Sequence, residues 1–105
     1  MSGAVHLVLH AHLPFIRHPE HDFHLEEVWF YEAVSETYLP LLDVLDRLDA
    51  DGVPGGFTLS VSQPLAAMFD DPLLRDRTTR HLSHLVALGD SELARTASMP
   101  DEHRL

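Results

Sequence analysis

Cysteine and lysine are both absent from this 105-residue chain. Without cysteine there is no disulfide framework, no thiolate metal site and no cysteine nucleophile. Without lysine, all positive charge rests on seven arginines against seventeen acidic residues, a formal net charge of −10. That balance disfavours nucleic acid and anionic lipid as partners, while neutral partners such as sugars are compatible with it. Long apolar runs are missing too. The run from residue 4 to residue 9 is short and interrupted by His6, so neither a signal peptide nor a membrane span is supported, and a cytoplasmic setting is expected. Also lacking is length: a complete eight-stranded α/β barrel takes about 250 residues. Any barrel reading therefore makes residues 1–105 an N-terminal portion of one, with no internal domain boundary.

What is present is an α/β rhythm. Residues 4–9, rich in aliphatic side chains, suit a strand buried on both faces in a parallel sheet. A loop with Pro14 and Pro19 follows, to about Leu25. From Glu26, the apolar positions Val28, Tyr31, Val34, Tyr38, Leu41, Leu45 and Leu48 recur every three or four residues and predict a helix. Pro40 cannot donate to the carbonyl of Glu36, so a kink or break is expected near residues 38–40. Gly52 suits a left-handed helix cap, and Pro54, Gly55 and Gly56 form a turn. Residues 57–62 alternate apolar and hydroxyl side chains with period two, as a second strand would. Ser62 or Gln63 starts a short helix with Pro64 in its first turn, and Asp71 before Pro72 starts a longer one. That longer helix carries Leu74, Leu82, Leu85, Leu88 and Leu93 on one side. The order β-α-α-β-α-α fits parallel strands joined by right-handed crossovers.

Active sites in such folds lie at the C-terminal ends of strands, where the first strand runs into His10, Ala11, His12 and Pro14. If the extended conformation reaches residue 12, His6, His10 and His12 share one face. In the second strand Thr58, Ser60 and Ser62 likewise share a face, so polar even-numbered residues would line the interior. Two imidazoles two apart on a strand can also ligate one divalent metal, which leaves a metal-dependent hydrolase open as an alternative. A non-catalytic binding module is another. His18, His21 and His24, in the proline-bearing loop, are expected to be solvated. Trp29 can stack on a sugar ring or anchor the helix by packing. The acidic run Asp43, Asp46, Asp49 and Asp51 reads as a solvated face, and Glu32 and Glu36 as ordinary polar residues of a helix.

Residues 7–15, with the run His10, Ala11, His12, Leu13, Pro14 and Phe15, resemble the first conserved region of glycoside hydrolase family 57, in its 1,4-α-glucan branching-enzyme members. Residues 29–33 and 36–42, including the in-helix proline, are similar to that family's first helical segment, and residues 57–62 with Pro64 to its second strand. The resemblance implies the N-terminal β-α-α-β-α-α portion of an incomplete (β/α)7 barrel. It also implies a retaining enzyme acting on α-1,4-glucans such as amylose or glycogen. By the same resemblance His10 approaches the sugar, His12 and Pro14 shape the pocket floor, and neither metal nor cofactor is needed. The glutamate nucleophile and the aspartate acid/base belong to later regions of the family. They are expected beyond residue 105, so no residue of this chain takes either role and the chain alone is expected to be inactive.

Overall fold

The computed structural model of the chain describes residues 3–53 and 56–99. Two strands, β1 (Val8–Ala11) and β2 (Thr58–Val61), pair in parallel with His10 opposite Ser60. Backbone bonds continue the pairing past both strands: the amide of Thr58 donates to Leu7 and that of Ser62 to Ala11. The first strand thus sits further along the chain than the apolar run at residues 4–9 suggests. Its extent is set by where a partner backbone lies, not by where apolar side chains begin.

Between the strands runs one helical rod: α1 (Leu25–Glu32), a π-helical segment (Ala33–Tyr38) and α2 (Leu39–Ala50). The disturbance expected around Pro40 takes this form. Pro40 has no amide to donate, and the Leu39 amide reaches back five residues to the carbonyl of Val34, widening the turn without breaking the rod. The rod ends in a Schellman arrangement. Val53 donates to Leu48 and Gly52 to Asp49, with Gly52 at φ 65°, a conformation that costs glycine little. Of the expected turn at Pro54, Gly55 and Gly56, the first two residues lie outside those described.

After β2 come α3 (Gln63–Asp70) and α4 (Pro72–Thr96). Ser62 holds the position before α3, but its hydroxyl makes no capping bond. Asp71 caps α4, accepting from the Leu74 amide at 3.0 Å, and its other oxygen accepts from Nε of Arg17 at 2.6 Å. These contacts outweigh the effect of burial and hold the Asp71 carboxyl below its usual range.

The core lies to one side of the sheet. Ala11 at the end of β1, Ile16 from the following loop, Phe30 and Tyr31 of α1, Leu65 and Met68 of α3, and Leu74 of α4 are its buried members. Of the leucines expected on one side of α4, only Leu74 is buried, and Leu85, Leu88 and Leu93 are exposed. A buried ion pair fastens this corner. Glu27 and Arg77 meet at 2.6 Å, and Glu27 also accepts from the Tyr31 hydroxyl and from the His18 amide, each at 2.7 Å. Arg77 in turn donates to the carbonyls of His18 and His21. Burial alone would raise the Glu27 carboxyl's pKa, but the His18 amide, Tyr31 and Arg77 prevail and lower it. The loop at residues 12–24 is therefore pinned through its backbone to α1 and α4.

The sheet itself has little cover, and Val8 and Val61 are 61% and 47% exposed. The radius of gyration is 18.4 Å, against about 13 Å for a compact chain of this length. The molecule is a slab of 57 × 45 × 21 Å. No helix among the described residues is long and apolar enough to cross a membrane.

Candidate functional site

Parallel pairing in even register decides what the strand mouth presents. Side chains alternate across a strand, so pairing His10 with Ser60 places the polar even-numbered residues of both strands on one face. The side chains confirm this: Nε2 of His6 is hydrogen-bonded to Oγ1 of Thr58 at 2.9 Å, and Nδ1 of His10 to Oγ of Ser60 at 3.0 Å. Both histidines are exposed.

The next even residue, His12, stands just past the end of β1. Its ring stacks on that of His10, with centroids 5.8 Å apart and planes 11° from parallel. Two imidazoles thus face the same way at the C-terminal end of the first strand. Ser60 orients the first by occupying one of its nitrogens. In a neutral ring the two nitrogens have opposite hydrogen-bonding roles. A hydroxyl that rotates to donate or to accept therefore lets His10 offer either role at Nε2.

A cleft of about 270 Å³ runs along this edge of β1, bordered by residues 9–12, Leu59, and Thr37, Tyr38 and Leu41 of the helical rod. Thr37 and Tyr38 belong to the π-helical turn, so the sequence signal for their presence is Pro40. The Tyr38 hydroxyl is pushed above its ordinary pKa by burial. The cleft wall carries hydroxyls, imidazoles and apolar surface and no carboxylate, a mixture suited to a neutral polyhydroxylated ligand.

His10 and His12 come together, and the two other predicted site residues lie elsewhere. Pro14 is exposed in the loop and Trp29 is half-exposed on α1, and neither borders the cleft. Phe30, the neighbour of Trp29, is the one that packs inward. The expectation that His18, His21 and His24 are free in solvent fits only His21. His18 and His24 are half-buried and stacked on each other. Glu27 and Arg77, which hold this loop in place, were not legible as functional residues. Their one local signal is the four-residue spacing between Glu27 and Tyr31, which puts the two side chains on one helix face. Asp43, Asp46, Asp49 and Asp51 are exposed, as a solvated face requires.

No protein-family model matches the chain. Among curated proteins it is 33% identical over 94 residues to the 1,4-alpha-glucan branching enzyme of Thermococcus kodakarensis, covering 89% of this chain and 14% of that protein. It is 37% identical over 72 residues to the "Probable 1,4-alpha-glucan branching enzyme" of Mycobacterium tuberculosis, covering 69% of this chain and again 14% of the relative. Among solved structures, the alpha-amylase AmyC of Thermotoga maritima superposes with a TM-score of 0.80 at 38% identity, over 96% of this chain and 19% of that one. The chain thus spans less than a fifth of the length of these relatives. The resemblance to the branching enzymes of glycoside hydrolase family 57, drawn from the motifs of β1, the helical rod and β2, holds in sequence, and the fold matches that of an alpha-amylase.

Proposed function

We propose that this chain is the opening section of an α-glucan-active enzyme, a 1,4-α-glucan branching enzyme of the retaining kind, and supplies one wall of its cleavage pocket. In this reading β1 and β2 are neighbouring strands of an incomplete seven-stranded α/β barrel, their even-numbered faces turned inward. The protein works in the cytoplasm on amylose or glycogen-like chains. The observation that carries the reading is the stacked pair His10 and His12 at the end of β1, tethered through Ser60 and open to solvent.

Retention of configuration needs two carboxyl groups about 5–5.5 Å apart across the scissile bond. The cleft wall has none; in this reading, which rests on the family resemblance, both belong to later strands of the barrel and the chain by itself does not cleave. The part left to His10 is to hydrogen-bond a sugar hydroxyl or the nucleophilic carboxylate, fixing the sugar against the attacking oxygen. Such a bond accelerates the reaction to the extent that it strengthens in the transition state. His12 backs the His10 ring and limits its rotation.

The test is His10→Ala in the full-length protein. Turnover on amylose falls on the order of a hundredfold or more, the scale of losing one aimed hydrogen-bonding group, while circular dichroism stays unchanged. Near-normal turnover would refute the role given to His10.

A further inference from the structure

Three of the chain's histidines, His18, His21 and His24, take no part in the strand-mouth cleft. The loop that carries them gathers them beside the start of α1. The rings of His18 and His24 stack with centroids 3.5 Å apart, and His21 lies 5.8 Å from His24. Nε2 of His18 is 3.3 Å from Oε2 of Glu26. One ligand atom from each of His18, His24 and Glu26 lies within 4.8 Å of the other two. Ligand atoms about 2.1 Å from a tetrahedral ion stand roughly 3.4 Å apart. The His18 and Glu26 pair already has that spacing, so only the His24 atom has to close in.

We propose that His18, His24 and Glu26 form a binding site for a divalent transition metal of the zinc type, with water completing the tetrahedron. Two imidazoles and one carboxylate are a donor set such ions favour. The surroundings resemble a prepared site in two further respects. Nδ1 of His18 lies 3.0 Å from Oε1 of Glu20, so its N–H can donate there while Nε2, which now pairs with Glu26, turns its lone pair to the ion, the usual support for a metal-bound histidine. The backbone that carries the ligands is also held from below. The His18 amide donates to Glu27, the residue after Glu26, and the carbonyls of His18 and His21 accept from Arg77.

The loop and the helix start are thus fixed relative to each other by a buried ion pair, so binding an ion requires little further ordering. The side chains of His18 and Glu26 are 26% and 53% exposed, which leaves the ion a path from solvent. The metal's role here is structural. It joins the loop that leaves the strand mouth to the first turn of α1, and it does not depend on the reading of His10.

Isothermal titration of the full chain with Zn²⁺ tests the site. One equivalent binds to the wild-type chain. Binding is lost in His18→Asn and in His24→Asn; the His24 side chain accepts from the Glu26 amide at the start of α1, a cap that asparagine can keep. Glu20→Gln weakens it by roughly tenfold, as removal of a supporting partner does. The double variant His10→Asn and His12→Asn binds as the wild type does. Absence of stoichiometric binding overturns the proposal, as does zinc binding that survives His18→Asn and His24→Asn. Equal affinity in concentrated urea also overturns it, because nine histidines on an unfolded chain would then explain the titration.

Discussion

The corner formed by α1, α3, α4 and the loop at residues 12–24 differs sharply from the sheet beside it. In the corner Leu65, Met68 and Leu74 are 0% exposed, Glu27 is fully buried with three hydrogen-bonding partners, and two helix starts are capped by side chains. In the sheet, strands of four residues pair with each other alone among the described residues, and Val8, Leu59 and Val61 face solvent. α2 has no buried residue. Parallel strands are stable when covered on both faces and paired at both edges, and this pair is neither. The comparison teaches where the chain's stability resides. The corner supplies its own packing and pairs most of its buried polar groups, Nε of Arg77 excepted, whereas the sheet leaves most of its apolar residues exposed. The candidate sugar wall belongs to the sheet, and the metal-type cluster to the corner.

The largest test of this contrast is Arg77→Ala. It strands the Glu27 carboxylate in the interior, and removing one partner of a buried pair costs about 3–5 kcal/mol. Hydrogen exchange in α1 and α4 should accelerate accordingly, and trypsin should gain access to Arg17. Unchanged protection would show that the corner does not depend on the ion pair. Next in size is a matched pair of truncations. Leu65→Ala should cost about 2–5 kcal/mol through loss of buried area and the cavity left behind, and Val61→Ala on the open sheet less than about 1 kcal/mol. Equal losses in urea unfolding would erase the distinction between the two regions.

Acid gives a smaller, graded effect. Because the Glu27 carboxyl is held below its ordinary value of 4.5, its contribution to stability is fully present above that pH and is lost as pH falls through the lowered folded value. Asp71, held below 3.8, acts in the same direction. Amide protection in the corner should therefore decline progressively below about pH 4.5; protection that instead rises there would contradict the sign. The smallest expected change is Ser60→Ala. It removes one exposed hydrogen bond worth about 1 kcal/mol or less and leaves stability nearly unaltered. It should nevertheless shift the His10 imidazole resonances in a nitrogen-detected spectrum. Unmoved resonances would mean that Ser60 does not orient the ring.

Much of the sheet was legible beforehand because its code is local. Alternation with period two in residues 57–62 and the even spacing of His6, His10 and His12 fix which side chains share a face, and pairing in even register preserves that division. Asp71 before Pro72, Gly52 after the helix and Pro40 within it each act through their own backbone, so their consequences could be placed to within a few residues. The corner was far less legible. Glu27 and Arg77 are fifty residues apart, and nothing in the sequence distinguishes this carboxylate from sixteen others or this arginine from six. The misplacement of His18 and His24 in solvent follows from the same gap. A proline-bearing loop reads as exposed until the ion pair that holds its backbone is known. Pro14 and Trp29 failed to join the cleft for a related reason: proximity in sequence to a strand end does not decide direction in a loop or on a helix.

By itself, the sequence determined the helix boundaries, the alternating faces of the strands and the resemblance to glucan-active enzymes, since each is written in residues a few positions apart. Tertiary structure alone decided which acid and which base are buried together and where a strand begins and ends. It also decided that two loop histidines meet a helix carboxylate. Those outcomes depend on which distant backbone arrives alongside, and burial sets the energy of a charge only after that arrival.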